Sequence, residues 1–354
     1  MKWPLIVPLA ALGVLGIALV VSPNPALLSL YGIALLGSVI SAVHHAEVVA
    51  HRVGEPFGTL ILALAVTIIE GALILSMMVA GGESSATIAR DAIYSAVMII
   101  CNGVVGVCLL VGGLRHGEQI FRIEGTGSGL AALAALSCLV LVLPTLTVSA
   151  PARAYTTSQL VFVAISSLAL WLVFIFIQTI RHRDYFLPAE SPENEAVHAA
   201  PPGLRETWTS FALLLISLIG VVGLAKALSP SIERAVVAAD APVAIVGVLI
   251  AMIVLLPESG AALRAAHANR LQSSLNLAIG SAMACIGLTV PVVVGAAVSL
   301  DLPLVLGLKP TDIALLTLTF IVGAITLGSG RTNMMQGAIH LIIFAAFLFL
   351  TLVP

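Results

Sequence analysis

Residues 247–261 read GVLIAMIVLLPESGA. The run is apolar enough to lie in a membrane, yet Pro257 and Glu258 stand side by side near its end. A second run, TLILALAVTIIEGAL at residues 59–73, is its counterpart. At an offset of 188 residues Glu70 falls on Glu258, Ala63 on Ala251 and Val66 on Val254. Matches between two apolar helices are weak evidence of a repeat by themselves. Their place in the chain carries more weight.

Apolar stretches of roughly 20 residues, each enough to cross a hydrocarbon core of about 30 Å, recur along the whole length. Of 354 residues 60% are apolar and only 9% charged, with a mean hydropathy of +1.16. A soluble domain carries roughly 25% charged residues. Barrel strands would show alternating segments of about 10 residues instead. Cutting at charges and at Pro/Gly clusters gives eleven spans, near 3–21, 26–48, 57–80, 92–114, 128–149, 157–180, 207–228, 242–263, 271–298, 311–328 and 333–353. The first is long for a signal-peptide core, and no small-residue cleavage site follows it. The polar stretch 182–206, rich in prolines and acids, reads as a solvated linker.

Glu70 then lies on span three and Glu258 on span eight. Five spans separate the two, an odd number, so their helices run in opposite directions. That is the arrangement of an inverted-topology repeat. The expectation is an all-α integral membrane protein of about eleven transmembrane helices. It comprises an extra N-terminal helix (1–24), a first five-helix repeat (25–181), a cytoplasmic linker (182–206) and a second five-helix repeat (207–354). Of 15 Lys and Arg, ten fall on the N-terminal side and five on the other. The positive-inside rule then puts the N-terminus in the cytoplasm and the C-terminus outside, in an inner (plasma) membrane.

A net charge of −2 with no basic cluster gives no reason to expect nucleic acid as a partner. The expected partners are the lipid bilayer, inorganic cations and protons, with no cofactor. The four cysteines, Cys101, Cys108, Cys138 and Cys285, sit in apolar runs and read as buried free thiols.

Among seventeen acids, only Glu70 and Glu258 sit well inside apolar runs. A charged carboxylate there costs at least ~2.5 kcal/mol on insertion scales. No lysine or arginine lies mid-span to neutralise them, which leaves protons and cations. Desolvation favours the neutral carboxyl and a nearby cation favours the ionised one, so a site ruled by both can exchange one for the other. Two carboxylates are balanced equally by two protons or by one divalent cation. The plain structural alternative is a pair of protonated, hydrogen-bonded glutamates.

Pro257 lacks an N–H and is expected to break the helix before Glu258, freeing carbonyl oxygens for a hard cation. Thr67, one turn before Glu70, adds a hydroxyl. Asn102 and Ser281, on the helices that follow the two glutamates, are expected to line the pocket. His44, Glu47 and His51 share one helix face and, with Glu55, form a candidate cytoplasmic vestibule for cations or protons. A soft-metal site there is the alternative. His340 reads as a packed histidine.

The stretches HHAEVVAHRVGEPFGTLILALAVTIIE (44–70), LLPES (255–259) and NRLQSSLNLAIGSAMACIGLTVPVVV (269–294) resemble the bacterial ChaA-type calcium/proton antiporters. These form part of the cation/proton exchanger branch of the calcium/cation antiporter superfamily. The resemblance implies two repeats packed around a midplane cation site, with Glu70 and Glu258 as the essential acids, and alternating access driven by a proton gradient. The chain departs from the superfamily's G-N-A-x-E pattern: AVTIIE and VLLPE stand in its place, poorer in oxygens. The expected function is therefore antiport of cytoplasmic Ca²⁺ against H⁺, with Na⁺ or K⁺ as the alternative cation. A passive channel is the first rival, and an intramembrane enzyme, for which no motif speaks, is the second.

Overall fold

The computed structural model describes residues 3–54, 57–81, 85–150, 153–187, 202–239 and 242–353. Eleven helical rods follow one another in these residues: α1 (Trp3–Val20), α2 (Pro25–Val53), α3 (Phe57–Gly81), α4 (Ile88–His116), α5 (Ile123–Leu146), α6 (Thr157–Arg181), α7 (Leu204–Ala238), α8 (Ala244–His267), α9 (Leu271–Leu300), α10 (Pro310–Gly328) and α11 (Met334–Leu352). Ten are long and apolar enough to cross a membrane, and the apolar stretch Leu64–Ala80 of α3 is shorter. Local chemistry sets several ends. Asn24 accepts the Leu27 N–H to cap α2, and Gly54 ends that helix at φ 77°. Thr156 with Gln159 and Asn333 with Gln336 open α6 and α11 as capping boxes.

Three helices are clearly longer than the charge-based reading expected, the first being α2, which runs on to Val53. α4 begins at Ile88 because its charges neutralise each other, the Arg90 guanidinium lying 2.7 Å from the Asp91 carboxylate. α7 reaches Ala238, carrying Pro230 within it. The linker is correspondingly shorter: Arg183–Phe186 forms a 3-10 turn and α7 opens at Leu204. Residues 188–201 lie outside the described residues. Cys101, Cys108 and Cys285 are buried as expected, whereas Cys138 is exposed on α5, where lipid would replace protein as its apolar surroundings.

The loops gather at two ends. At one, the His116 ring bonds the His267 carbonyl, Gln119 donates to Asn269, and the Arg122 N–H donates to Gln272. There Asn276 also donates to the Phe186 carbonyl. At this end β1 (Gln119–Ile120) pairs antiparallel with β2 (Arg331–Thr332), joining the α4–α5 loop to the α10–α11 loop. At the other end Val305 donates to the Ala86 carbonyl, Gly307 to that of Arg153, and Leu308 to that of Leu141. α3 therefore leads away from the first end to Ala86, while α8 arrives there at His267, so the two glutamate helices run in opposite directions.

Packing repeats the same exchange. α3 lies against α9 and α8 against α4; α4 lies against α11 and α9 against α6; α2 and α7 pack on each other. Each contact thus has a mate with the halves exchanged. α4 and α9, third in their respective halves, are the most deeply enclosed of the long apolar helices. Gly247 makes the α4–α8 approach possible: a Cβ there would come 2.6 Å from the Asp91 carbonyl carbon and 2.7 Å from the Ala92 nitrogen.

Candidate cation site

Glu70 is sealed inside the bundle, 3% exposed. Both of its oxygens accept hydrogen bonds from α9: the Cys285 thiol at 2.8 Å on Oε1 and the Thr289 hydroxyl at 2.7 Å on Oε2. The two donors are four residues apart and so share one face of α9. Thr67, a turn before Glu70, is buried with it.

Glu258 differs. It is half-buried, its Oε2 is buried without a hydrogen-bond partner, and it lines a cavity of about 180 Å³. Val66, Trp171, Gln178, Asn276 and Ser281 stand among the other walls. The cavity thus reaches toward the ends of α6 and α9 that carry Gln178 and Asn276, the end where β1 pairs with β2. Val66 is one turn from Glu70 on α3, and Ala284, beside Cys285, is another wall. Along α9 the cavity walls, Asn276 to Ala284, adjoin the level of Glu70's donors, Cys285 and Thr289, and the middles of the two stretches are about seven residues apart, ~10 Å at 1.5 Å per residue. Glu70 and Glu47 are both near enough to act electrostatically on Glu258. The ion pairs among the described residues, Arg90–Asp91 and Arg331–Glu118, leave both glutamates without a cationic side chain.

Pro257 does not interrupt its helix: α8 runs unbroken from Ala244 to His267. The imide nitrogen only removes the donor that the Ile253 carbonyl would otherwise receive, and the Ser259 hydroxyl takes the Leu255 carbonyl at 2.6 Å. Ser281 lies in the cavity wall. Asn102 stands apart from it, on a π-helical turn, Ile99–Val104. Its amide donates to the Thr319 hydroxyl at 2.9 Å, and its oxygen meets the His340 ring at 3.2 Å. The other nitrogen of His340 reaches Thr326 at 3.2 Å, so His340 is a packed, bonded histidine.

Near the start of α1, His44 lies against Trp3, ring centroids 5.1 Å apart, while Glu47 and His51 are exposed. Among the described residues no group of three or more His, Cys, Asp or Glu could hold a metal ion, which leaves the soft-metal alternative without support. Glu55 lies outside the described residues. Sequence reasoning assigned no role to Cys285 or Trp171. The four-residue spacing of Cys285 and Thr289 was the available signal for the first, and nothing in the sequence marked the second.

Two opposed helices with buried acids, crossing in an eleven-helix bundle of exchanged halves, define a membrane ion exchanger rather than an enzyme. The chain belongs to the sodium/calcium exchanger protein family, whose model matches residues 23–180 and 209–353. Among relatives, the protein y4hA of Sinorhizobium fredii is 45% identical over 359 residues, covering 99% of this chain and 96% of that one. The sodium-potassium/proton antiporter ChaA of Escherichia coli is 38% identical over 325 residues, covering 91% and 87%. Among solved structures, the Ca²⁺/H⁺ antiporter YfkE superposes with a TM-score of 0.75 at 16% identity, covering 99% of this chain and 100% of that one. The fold is thus the exchanger fold, and the chain is a multi-pass membrane protein of a cation-antiporter family.

Proposed function

We propose that the chain is a secondary antiporter that moves cytoplasmic Ca²⁺ out in exchange for protons by alternating access. Glu70 and Glu258 bind cation and proton competitively, and residues 25–181 and 207–354 are the two repeats that rock around them. The observation that carries this reading is the pair of enclosed carboxylates without a cationic side chain, one sealed and one on a cavity. Such charges persist in a low-dielectric interior only when something mobile neutralises them. Thr67, Ser281 and the carbonyl that Pro257 leaves free supply further oxygens. Asn102 acts on the site from a distance, by holding the π-helical turn of α4 against α10 and α11. The end bearing the cavity carries most of the basic residues and faces the cytoplasm, with Glu47 and His44 near the vestibule.

A second reading replaces Ca²⁺ with Na⁺ or K⁺. It is favoured by the sparse oxygens around Glu70, where one donor is a thiol, since Ca²⁺ takes six to eight oxygen ligands. The name of the ChaA relative points the same way. Everted vesicles decide both questions. A proton gradient should drive uphill uptake of one of Ca²⁺, Na⁺ or K⁺, each added alone, and Glu70→Gln or Glu258→Gln should abolish it. Wild-type exchange in both variants would reject the assignment, and flux that no proton gradient can drive uphill would make the protein a channel.

A further inference from the structure

Two residues of the cavity wall each carry a buried polar atom without a hydrogen-bond partner: Glu258 at Oε2 and Trp171 at Nε1. The tryptophan is on α6, and its side chain is 6% exposed. Its ring is seated on α9. A Cβ added to Gly287 would come 2.7 Å from Trp171 Cγ and 3.0 Å from Cδ1, so the pyrrole edge of the indole rests where only glycine leaves room. That edge bears the N–H. Trp171 lines the same cavity as Glu258, among walls that are otherwise mostly apolar.

An indole N–H donates and never accepts. It cannot ligate a cation. It can bond water or a carboxylate oxygen, and the cavity has room for about six waters at ~30 Å³ each. We infer that Trp171 is a positioning residue of the exchanger: its N–H faces the cavity, holds by its oxygen the water that stands before Glu258 and opposes the cation that displaces it. This rests on the reading of Glu258 as a cation ligand.

The physical conflict is one of orientation. Water held by the indole turns its oxygen to the N–H and its hydrogens toward Glu258, which accepts them. Water beside a cation turns its oxygen to the ion and its hydrogens away. The two arrangements compete for the same few molecules, and the positive end of the N–H dipole faces the arriving charge. Trp171 therefore loosens the bound cation and speeds its release. Phenylalanine keeps an aromatic ring on Gly287 but has no N–H. In Trp171→Phe the KM for the cation should fall about fivefold, the worth of one ordinary hydrogen bond, and kcat should fall with it as release slows.

The chain has 3 tryptophans, so Trp3→Phe with Trp208→Phe leaves Trp171 as the only indole, excited selectively over tyrosine at the red edge of its absorption. Its fluorescence, titrated with CaCl2, NaCl or KCl separately, should change saturably with the cation that the wild type transports. Glu258→Gln should remove the change. Emission insensitive to saturating amounts of a transported cation overturns the inference, as does an unaltered KM and kcat in Trp171→Phe. If Trp171→Phe does not fold, the fluorescence arm, which keeps the residue, decides alone. Exchange that survives Glu258→Gln sinks the underlying two-glutamate reading. Loss of exchange in that variant alongside a silent Trp171 sinks only this inference.

Discussion

Thr289→Val removes one hydroxyl and nearly nothing else. The residue is fully enclosed in α9, and its hydroxyl donates to Glu70 Oε2 at 2.7 Å. A hydrogen bond to a charged acceptor is worth about 1.5–3 kcal/mol, and one between neutral groups about 0.5–1.5 kcal/mol. Cation-bound Glu70 is ionised and proton-bound Glu70 is neutral, so the substitution penalises the cation-bound form by the difference, roughly 1–1.5 kcal/mol. At about 1.4 kcal/mol per factor of ten, the KM for the cation should rise about five- to tenfold near neutral pH. At alkaline pH the proton is no longer a competitor. The empty ionised carboxylate and the cation-bound one then lose the same donor, and the KM should return toward wild type. Initial rates in proteoliposomes, measured against cation concentration at several pH values, test both statements. Thr289→Ser, which keeps a hydroxyl, is the control. A KM unchanged at every pH, or an increase that grows with pH, would refute the competition at Glu70.

With equal pH on both sides, wild-type exchange should climb between about pH 6 and about pH 9, because protons leave the carboxylates that the cation needs; a flat profile counts against shared sites. Gly247→Ala forces a Cβ to within 2.6 Å of backbone on α4, well inside ordinary contact, and should cost about 1–3 kcal/mol, read as a lowered Tm in detergent. An unchanged Tm would mean that α4 and α8 are not so closely packed. Arg90→Ala strips the buried Asp91 of its 2.7 Å partner and should destabilise by about 3 kcal/mol; adding Asp91→Asn should recover part of it, since the stranded charge is gone. No recovery in thermal unfolding would show that the charge is not what costs.

The sequence showed most of the architecture because membrane helices announce themselves by length and apolarity. Glu70 and Glu258 were legible for the same reason: a carboxylate in an apolar run stands out, and two at matching places outweigh the plain reading of protonated, hydrogen-bonded side chains. Helix ends were harder. Arg90 and Asp91 looked like a boundary, and only their mutual neutralisation lets α4 begin before them. Pro257 looked like a break, yet a membrane helix continues through one missing donor when its neighbours hold it. What the sequence hid was partnership between distant segments. Asn102 was read as facing the glutamates, and the structure gives its amide to Thr319 and His340 instead. Cys285 looked like another apolar thiol, and its bond to Glu70 depends on how α9 is rotated against α3. Trp171 was invisible because its N–H matters only beside a cavity that four helices build.

The loop stitches at the two ends have a mechanical meaning. The β1–β2 ribbon, the Val305–Ala86 bond and the Leu308–Leu141 bond all tie α4, α5, α9, α10 and α11 into one frame, crossing from one half to the other. α1, α2 and α7 are fastened to each other: the His45 ring to the Pro4 carbonyl at 2.9 Å, and Arg52 to the Pro202 carbonyl at 3.2 Å. They meet α3 through faces whose buried side chains are mostly apolar, with Ser38, Ser41 and Ser217 among them. The molecule is then a stitched five-helix frame with a more loosely attached trio. Apolar contacts resist sliding less than directional bonds do, so the frame is the firmer part, and α3 and α8, which carry Glu70 and Glu258, pack against it without belonging to either set.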